Sequence, residues 1–186
     1  MKELLPIVWS AAASFKIESR AVMAFISAET GGKGFDDVTG KIIIQFEPSW
    51  YRKRAPYAPS GKWSLNKVEV QSKEWLAFND AFSKNKTAAM EATSIGIGQI
   101  MGFHWKRLGY ESVHAMWDDA KKGIDRQIWQ ICKFIDTDKE LKADLIAHNW
   151  YGVSCRYNGF DFVRMAAIWK RERYDITLEK AYLKYK

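Results

Sequence analysis

One short run of β-branched residues, Ile42-Ile43-Ile44-Gln45-Phe46-Glu47, stands alone in a chain whose apolar residues otherwise recur at helical spacing. That contrast predicts a mainly α fold with one small β element placed after the second helix. Residues 2–15 and 18–29 read as the first two helices, with Val22, Phe25 and Ile26 as the apolar stripe of the second. Gly31 and Gly32 end it, because glycine takes the left-handed cap conformation without a Cβ clash. Thr39-Gly40 signals a turn, and residues 48–64, which carry Pro48, Pro56 and Pro59, read as a long loop. Further helices are expected over roughly 66–83, 86–93, 112–122, 124–135, 138–147 and 160–173. The segment 147–157 is a further candidate, and short elements near 97–108 connect the rest. Ser112 is placed as an N-cap, and Gly123 as the break between two helices.

A length of 186 residues suits one domain, 1–186, with enough chain to bury a core. The 47% hydrophobic and 27% charged content excludes a disordered chain. The net charge of +7 draws the protein to polyanions, which include nucleic acid, anionic lipid and bacterial cell wall. Arg52-Lys53-Arg54 and Lys170-Arg171-Glu172-Arg173 read as solvated faces. The basic residues do not gather on one helix and no nucleic-acid motif is present, so no nucleic-acid partner is expected. Cys132 and Cys155 match no metal spacing, and His104, His114 and His148 do not cluster with them. Two buried free thiols are expected, with no metal and no cofactor. The first residues faintly resemble a signal peptide, but Glu3 interrupts the charged start and Leu4, Leu5, Val8, Ala12 and Phe15 keep helical spacing. An integral first helix is the better reading, and no apolar run is long enough for a transmembrane span.

Glu29 shares a helical face with Val22, Phe25 and Ile26 and lies in the last turn. Burial and the negative end of the helix dipole both disfavour its anion. A carboxylic acid kept protonated near neutral pH is what a glycosidase uses to protonate a leaving oxygen. On this feature alone, a solvent-facing helix-end Glu is an equal alternative. Glycosidases commonly use a second carboxylate, and Asp36, Asp37 and Glu47 follow Glu29. Glu47 is preferred, since Pro48 stops the strand beside it, whereas turn capping is the usual task of Asp in a glycine-rich loop. In Thr93-Ser94-Ile95-Gly96-Ile97-Gly98-Gln99-Ile100-Met101-Gly102 the glycines admit a close approach to the backbone. Ser94 and Gln99 offer hydrogen-bonding groups suited to a sugar. The segment lacks the Gly-Lys-Ser/Thr ending of a phosphate loop. Tyr157-Asn158-Gly159 offers a rim contact. The heavy aromatic content, 15% with nine Trp, supplies both core and flat faces for sugar rings.

Taken in order, Ala28-Glu29-Thr30-Gly31-Gly32-Lys33-Gly34-Phe35, the strand into Phe46-Glu47, Ser94 to Gly102 and Tyr157-Asn158-Gly159 resemble the N-acetylmuramidase domain family of phage endolysins. More distantly they resemble goose-type lysozymes and lytic transglycosylases. The resemblance implies a lysozyme-like, two-lobed helical fold with a substrate groove between the lobes. It implies peptidoglycan glycan strands as partner and cleavage between N-acetylmuramic acid and N-acetylglucosamine, with Glu29 as acid and Gln99 and Tyr157 lining the groove. It further implies synthesis in a host cytoplasm and action on the wall after a membrane lesion. A monomer with no stable membrane insertion is expected. Two positions depart from the family pattern. Pro48-Ser49 replace the Arg-His that often follows the strand-end Glu, and Ile95 stands where Trp is frequent. No separate wall-binding module is expected in this chain, and its positive charge is expected to supply affinity for an anionic envelope.

Overall fold

The computed structural model describes residues 1–67 and 70–185. They form eleven α-helices and a three-stranded sheet, divided into two compact units. One unit comprises residues 1–32 and 131–186, the other residues 33–130.

The first unit is built around α2 (Ser19–Thr30), flanked by α1 (Leu5–Ser14). The expected stripe on α2 is only part of its buried surface. Ala21, Val22, Met23, Ala24, Phe25 and Ile26 all lack solvent exposure, so this stretch is a central helix covered on every side. Ala21 and Ala24 are small enough to let neighbours close on the faces that periodicity left open. From the second half of α7 (Ile124–Asp136) the unit continues through α8 (Lys139–Ile146), α9 (Trp150–Tyr157), α10 (Phe162–Ile168) and α11 (Tyr174–Leu183). Asp138 and Asn149 cap α8 and α9 by accepting the backbone N–H groups of Leu141 and Gly152. The helix expected over 160–173 ends at Ile168, and a further helix, α11, begins at Tyr174. Lys170 takes a left-handed φ of 51°, which stops the helix without any glycine to announce it. Arg173 then bonds Asp175 through both carboxylate oxygens, placing an acid in the first turn of α11 where the helix dipole favours it. Helix α11 lies along α2, and the Tyr182 hydroxyl donates to Glu18 at the start of α2 at 3.0 Å.

The second unit holds the sheet. The expected strand over 42–47 is confined to β1 (Ile44–Phe46), with Ile42 in an isolated bridge to Phe35. It pairs antiparallel with β2 (Thr93–Ile95), which pairs antiparallel with β3 (Ile100–Met101). Residues 48–64 are not one long loop. Pro48 opens α3 (Pro48–Arg54), and Lys62–Leu65 form a 3-10 turn. Proline fits a first helical turn because its missing N–H would have had no intrahelical partner there. Tyr51 and Trp63 anchor this stretch in the core. Their polar tips donate to the carbonyls of Ala81 (3.0 Å) and Pro59 (2.9 Å). The helix expected from residue 66 is α4 (Gln71–Lys84); positions 68 and 69 lie outside the described residues. Next come α5 (Lys86–Glu91) and α6 (Val113–Ala120), whose N-cap Ser112 accepts the Ala115 N–H as its sequence position suggested.

Cys132 and Cys155 are buried free thiols, and burial pushes the Cys132 thiol up to about 12. Among the described residues no helix is long and apolar enough to cross a membrane.

Candidate active site

Glu29 ends α2, where Gly31 supplies the left-handed cap with φ of 61°. The residue keeps partial exposure, while its face continues the buried line of Val22, Phe25 and Ile26. The Tyr174 hydroxyl, at the first position of α11, donates a short hydrogen bond to Glu29 Oε1. Burial raises the Glu29 carboxyl to about 7, against lesser lowering by the Tyr174 hydrogen bond and the Arg171 charge. Burial, then the Glu29 charge, holds the Tyr174 and Tyr157 phenols well above their ordinary value, so both are neutral donors at physiological pH. Tyr157 keeps partial exposure while packing among aromatic rings. Its ring lies 4.6 Å from Phe25 and 5.4 Å from Phe134, and parallel to Tyr174 at 6.4 Å. Asn158 follows it, exposed, at the end of α9.

One helix running to residue 173, as expected from sequence, misses Tyr174. The signal was present. Asp175 sits in a first-turn position, and Leu178, Ala181 and Tyr182 repeat at helical spacing.

In the second unit, Glu47 follows β1 and stands as the N-cap residue of α3, its backbone N–H bonded to the Ala92 carbonyl at 2.9 Å. Gln45, two residues earlier and therefore on the same strand face, donates from Nε2 to Glu47 Oε1 at 2.7 Å. Burial raises the Glu47 carboxyl, the Gln45 hydrogen bond lowers it, and the nearby Glu74 carboxylate raises it further. Directly across the ladder from Gln45 lies Ser94, whose hydroxyl donates to Gln99 Oε1 at 3.0 Å. The unit thus gathers Glu47, Gln45, Ser94 and Gln99 on one patch of sheet. Gln99 is also bound inward, donating from Nε2 to the Gly96 carbonyl at 2.8 Å with a left-handed φ of 47°. The close approach that Gly96 permits is made by Gln127: a Cβ there would lie 2.7 Å from its Oε1. That same oxygen accepts the Ile97 N–H at 2.8 Å.

Asp36 serves a turn, accepting the Thr39 N–H and hydroxyl at 2.8 and 2.7 Å, and Asp37 pairs with Lys33 in solvent. Among the described residues no group of three His, Cys, Asp or Glu side chains is arranged to hold a metal ion.

A mainly helical fold with a small sheet after the second helix is the architecture of a lysozyme-like glycoside hydrolase. The N-acetylmuramidase family model matches residues 18–186, and the chain belongs to that family. It is a peptidoglycan-cleaving muramidase. The crystal structure of the Burkholderia AP3 phage endolysin is similar, with a TM-score of 0.79 and 30% sequence identity over 97% of this chain and 69% of the other. No curated protein matches.

Proposed function

We propose that Glu29 is the general acid of this muramidase, protonating the glycosidic oxygen between N-acetylmuramic acid and N-acetylglucosamine. The carrying observation is the Glu29 carboxyl itself, raised to about 7 by burial while Tyr174 fixes its Oε1. An acid with that pKa is still substantially protonated at neutral pH and is strong enough to give its proton away. Glu47 is assigned the second carboxylate, activating water or stabilising the positive charge that develops on the sugar ring. Support comes from its place at the strand end, its partial burial and its neutral Gln45 donor. Ser94, Gln99, Tyr157 and Asn158 are assigned to glycan contact. The exposed Asn158 is the freest of these. Gln99 and Tyr157 act chiefly by shaping the surfaces around Glu47 and Glu29, since both are packed or bonded inward.

In this reading residues 1–186 are one catalytic domain, a monomeric endolysin. It is made in the host cytoplasm and reaches the wall once the membrane is breached. Its charge of +7 supplies affinity for anionic envelope polymers.

Mass spectrometry of muropeptides released from purified walls tests the assignment. Hydrolysis gives reducing N-acetylmuramic acid ends from the native enzyme and none from Glu29→Gln, which keeps the shape but carries no acidic proton. Products ending in 1,6-anhydro sugars, with Glu47→Ala fully active, would instead establish a lytic transglycosylase.

A further inference from the structure

We propose that Glu74 is a positioning residue for Glu47: from α4 it clamps the strand that presents Glu47 and sets its own negative charge against that carboxyl. This rests on the assignment of Glu47 above.

The geometry begins with an edge. Strand β1 pairs with β2 on one side, which leaves the N–H and C=O groups of its other side without a strand. Side chains replace the missing ladder. Gln71 accepts the Ile44 N–H at 3.0 Å and donates to the Ile44 carbonyl at 2.8 Å, as a neighbouring strand would. One helical turn on, Glu74 Oε2 accepts the Phe46 N–H at 2.8 Å, and Asn66 donates to the Phe46 carbonyl at 3.0 Å. Asn66 also donates to Glu74 Oε2 at 3.0 Å, closing the clamp on the residue just before Glu47.

A neutral glutamine would serve the same ladder, as Gln71 shows two residues earlier on the strand. Glu74 instead places a carboxylate there, only 2% exposed, with its Oε1 left without a hydrogen-bond partner. A buried acidic side chain with one idle oxygen is costly if its only task is to accept two N–H groups. The cost has a purpose if its charge acts on Glu47, and the Glu74 charge does raise the Glu47 carboxyl. Against it acts the Gln45 hydrogen bond, which lowers the Glu47 carboxyl. On β1 and β2, Gln45 and Ser94 are neutral. On α3, Arg54 is paired with Glu91 of α5, while Arg52 and Lys53 lie over the rings of Trp63 and Trp50. With Pro48-Ser49 following Glu47, no cation is supplied from the adjoining positions.

The experiment follows Glu47 by carbon-13 NMR of its carboxyl carbon, assigned by loss of the signal in Glu47→Gln, alongside kcat against pH. In Glu74→Gln the Glu47 midpoint is expected to fall by roughly 0.5–1 pH unit. The acidic limb of kcat should move with it, while plateau kcat stays within about twofold because the ladder acceptor survives. Glu74→Ala removes the clamp as well and is expected to lower kcat roughly tenfold with KM little changed. Recovery of kcat, but not of the pH limb, by Gln at this position separates positioning from mere folding. An unmoved Glu47 midpoint in Glu74→Gln overturns the proposal and leaves the Glu47 assignment standing on its own variant. A moved midpoint with Glu47→Gln fully active removes the catalytic role of Glu47, and the positioning role with it.

Discussion

The two carboxylates are raised by the same force and finished by opposite neighbours. Burial is the largest influence on both Glu29 and Glu47. Glu29 then meets a phenol that donates to it and the positive charge of Arg171, both of which temper the rise. Glu47 meets a neutral amide and a second carboxylate, and the carboxylate adds to the rise. The first environment stops an acid near 7 and holds it in one orientation. The second balances a hydrogen-bond donor against a like charge. Burial alone therefore does not distinguish the two proposed roles; the polar contacts at the end of each side chain do.

The sharpest break in this comparison is Glu29→Gln. With the acid gone, wall lysis, followed as loss of turbidity, is expected to fall about 10²–10⁴-fold, with an unchanged far-ultraviolet circular dichroism spectrum. Glu47→Gln should cost less, on the order of 10²-fold in kcat, because a partner that steers water or charge leaves the proton donor in place. A loss equal to that of Glu29→Gln would erase the asymmetry drawn here.

Tyr174→Phe sharpens the Glu29 side. The hydrogen bond it removes lowers the Glu29 pKa, so the midpoint rises above about 7. The acid must be protonated to work, so the basic limb of the kcat profile moves to higher pH. Loss of a fixed orientation is expected to lower plateau kcat about tenfold. A basic limb that moved down, or stayed put, would remove Tyr174 from the account. The smallest effect belongs to the helix end. Gly31→Ala meets no atom within 4 Å, so only the left-handed φ of 61° resists it. It should destabilise by about 1 kcal/mol in chemical denaturation and leave the pH profile where it was.

Much of this was legible in the chain. The isolated β-branched run placed the sheet, and Gly31 marked the end of the helix that carries Glu29. Asp36 was readable as a turn residue from its type and setting. What escaped was of two kinds. Tyr174 was lost because Lys170, with no glycine or proline nearby, adopts the left-handed backbone that ends α10. The contact itself joins residues 145 positions apart. Gln71 and Glu74 escaped because helical periodicity reports which face is apolar, and these polar side chains bond the open edge of a strand 27 and 28 residues upstream. Local pattern picked out the candidate carboxylates, whereas Tyr174, Arg171 and Glu74, which act on them, come from distant sequence.

The most direct measurement is the titration of the Glu29 carboxyl carbon by NMR, assigned by its absence in Glu29→Gln and compared with the basic limb of kcat. The account predicts a midpoint at about 7 that coincides with that limb. A midpoint near the ordinary value of 4.5, with full activity at neutral pH, would show that burial at the end of α2 does not make Glu29 the acid.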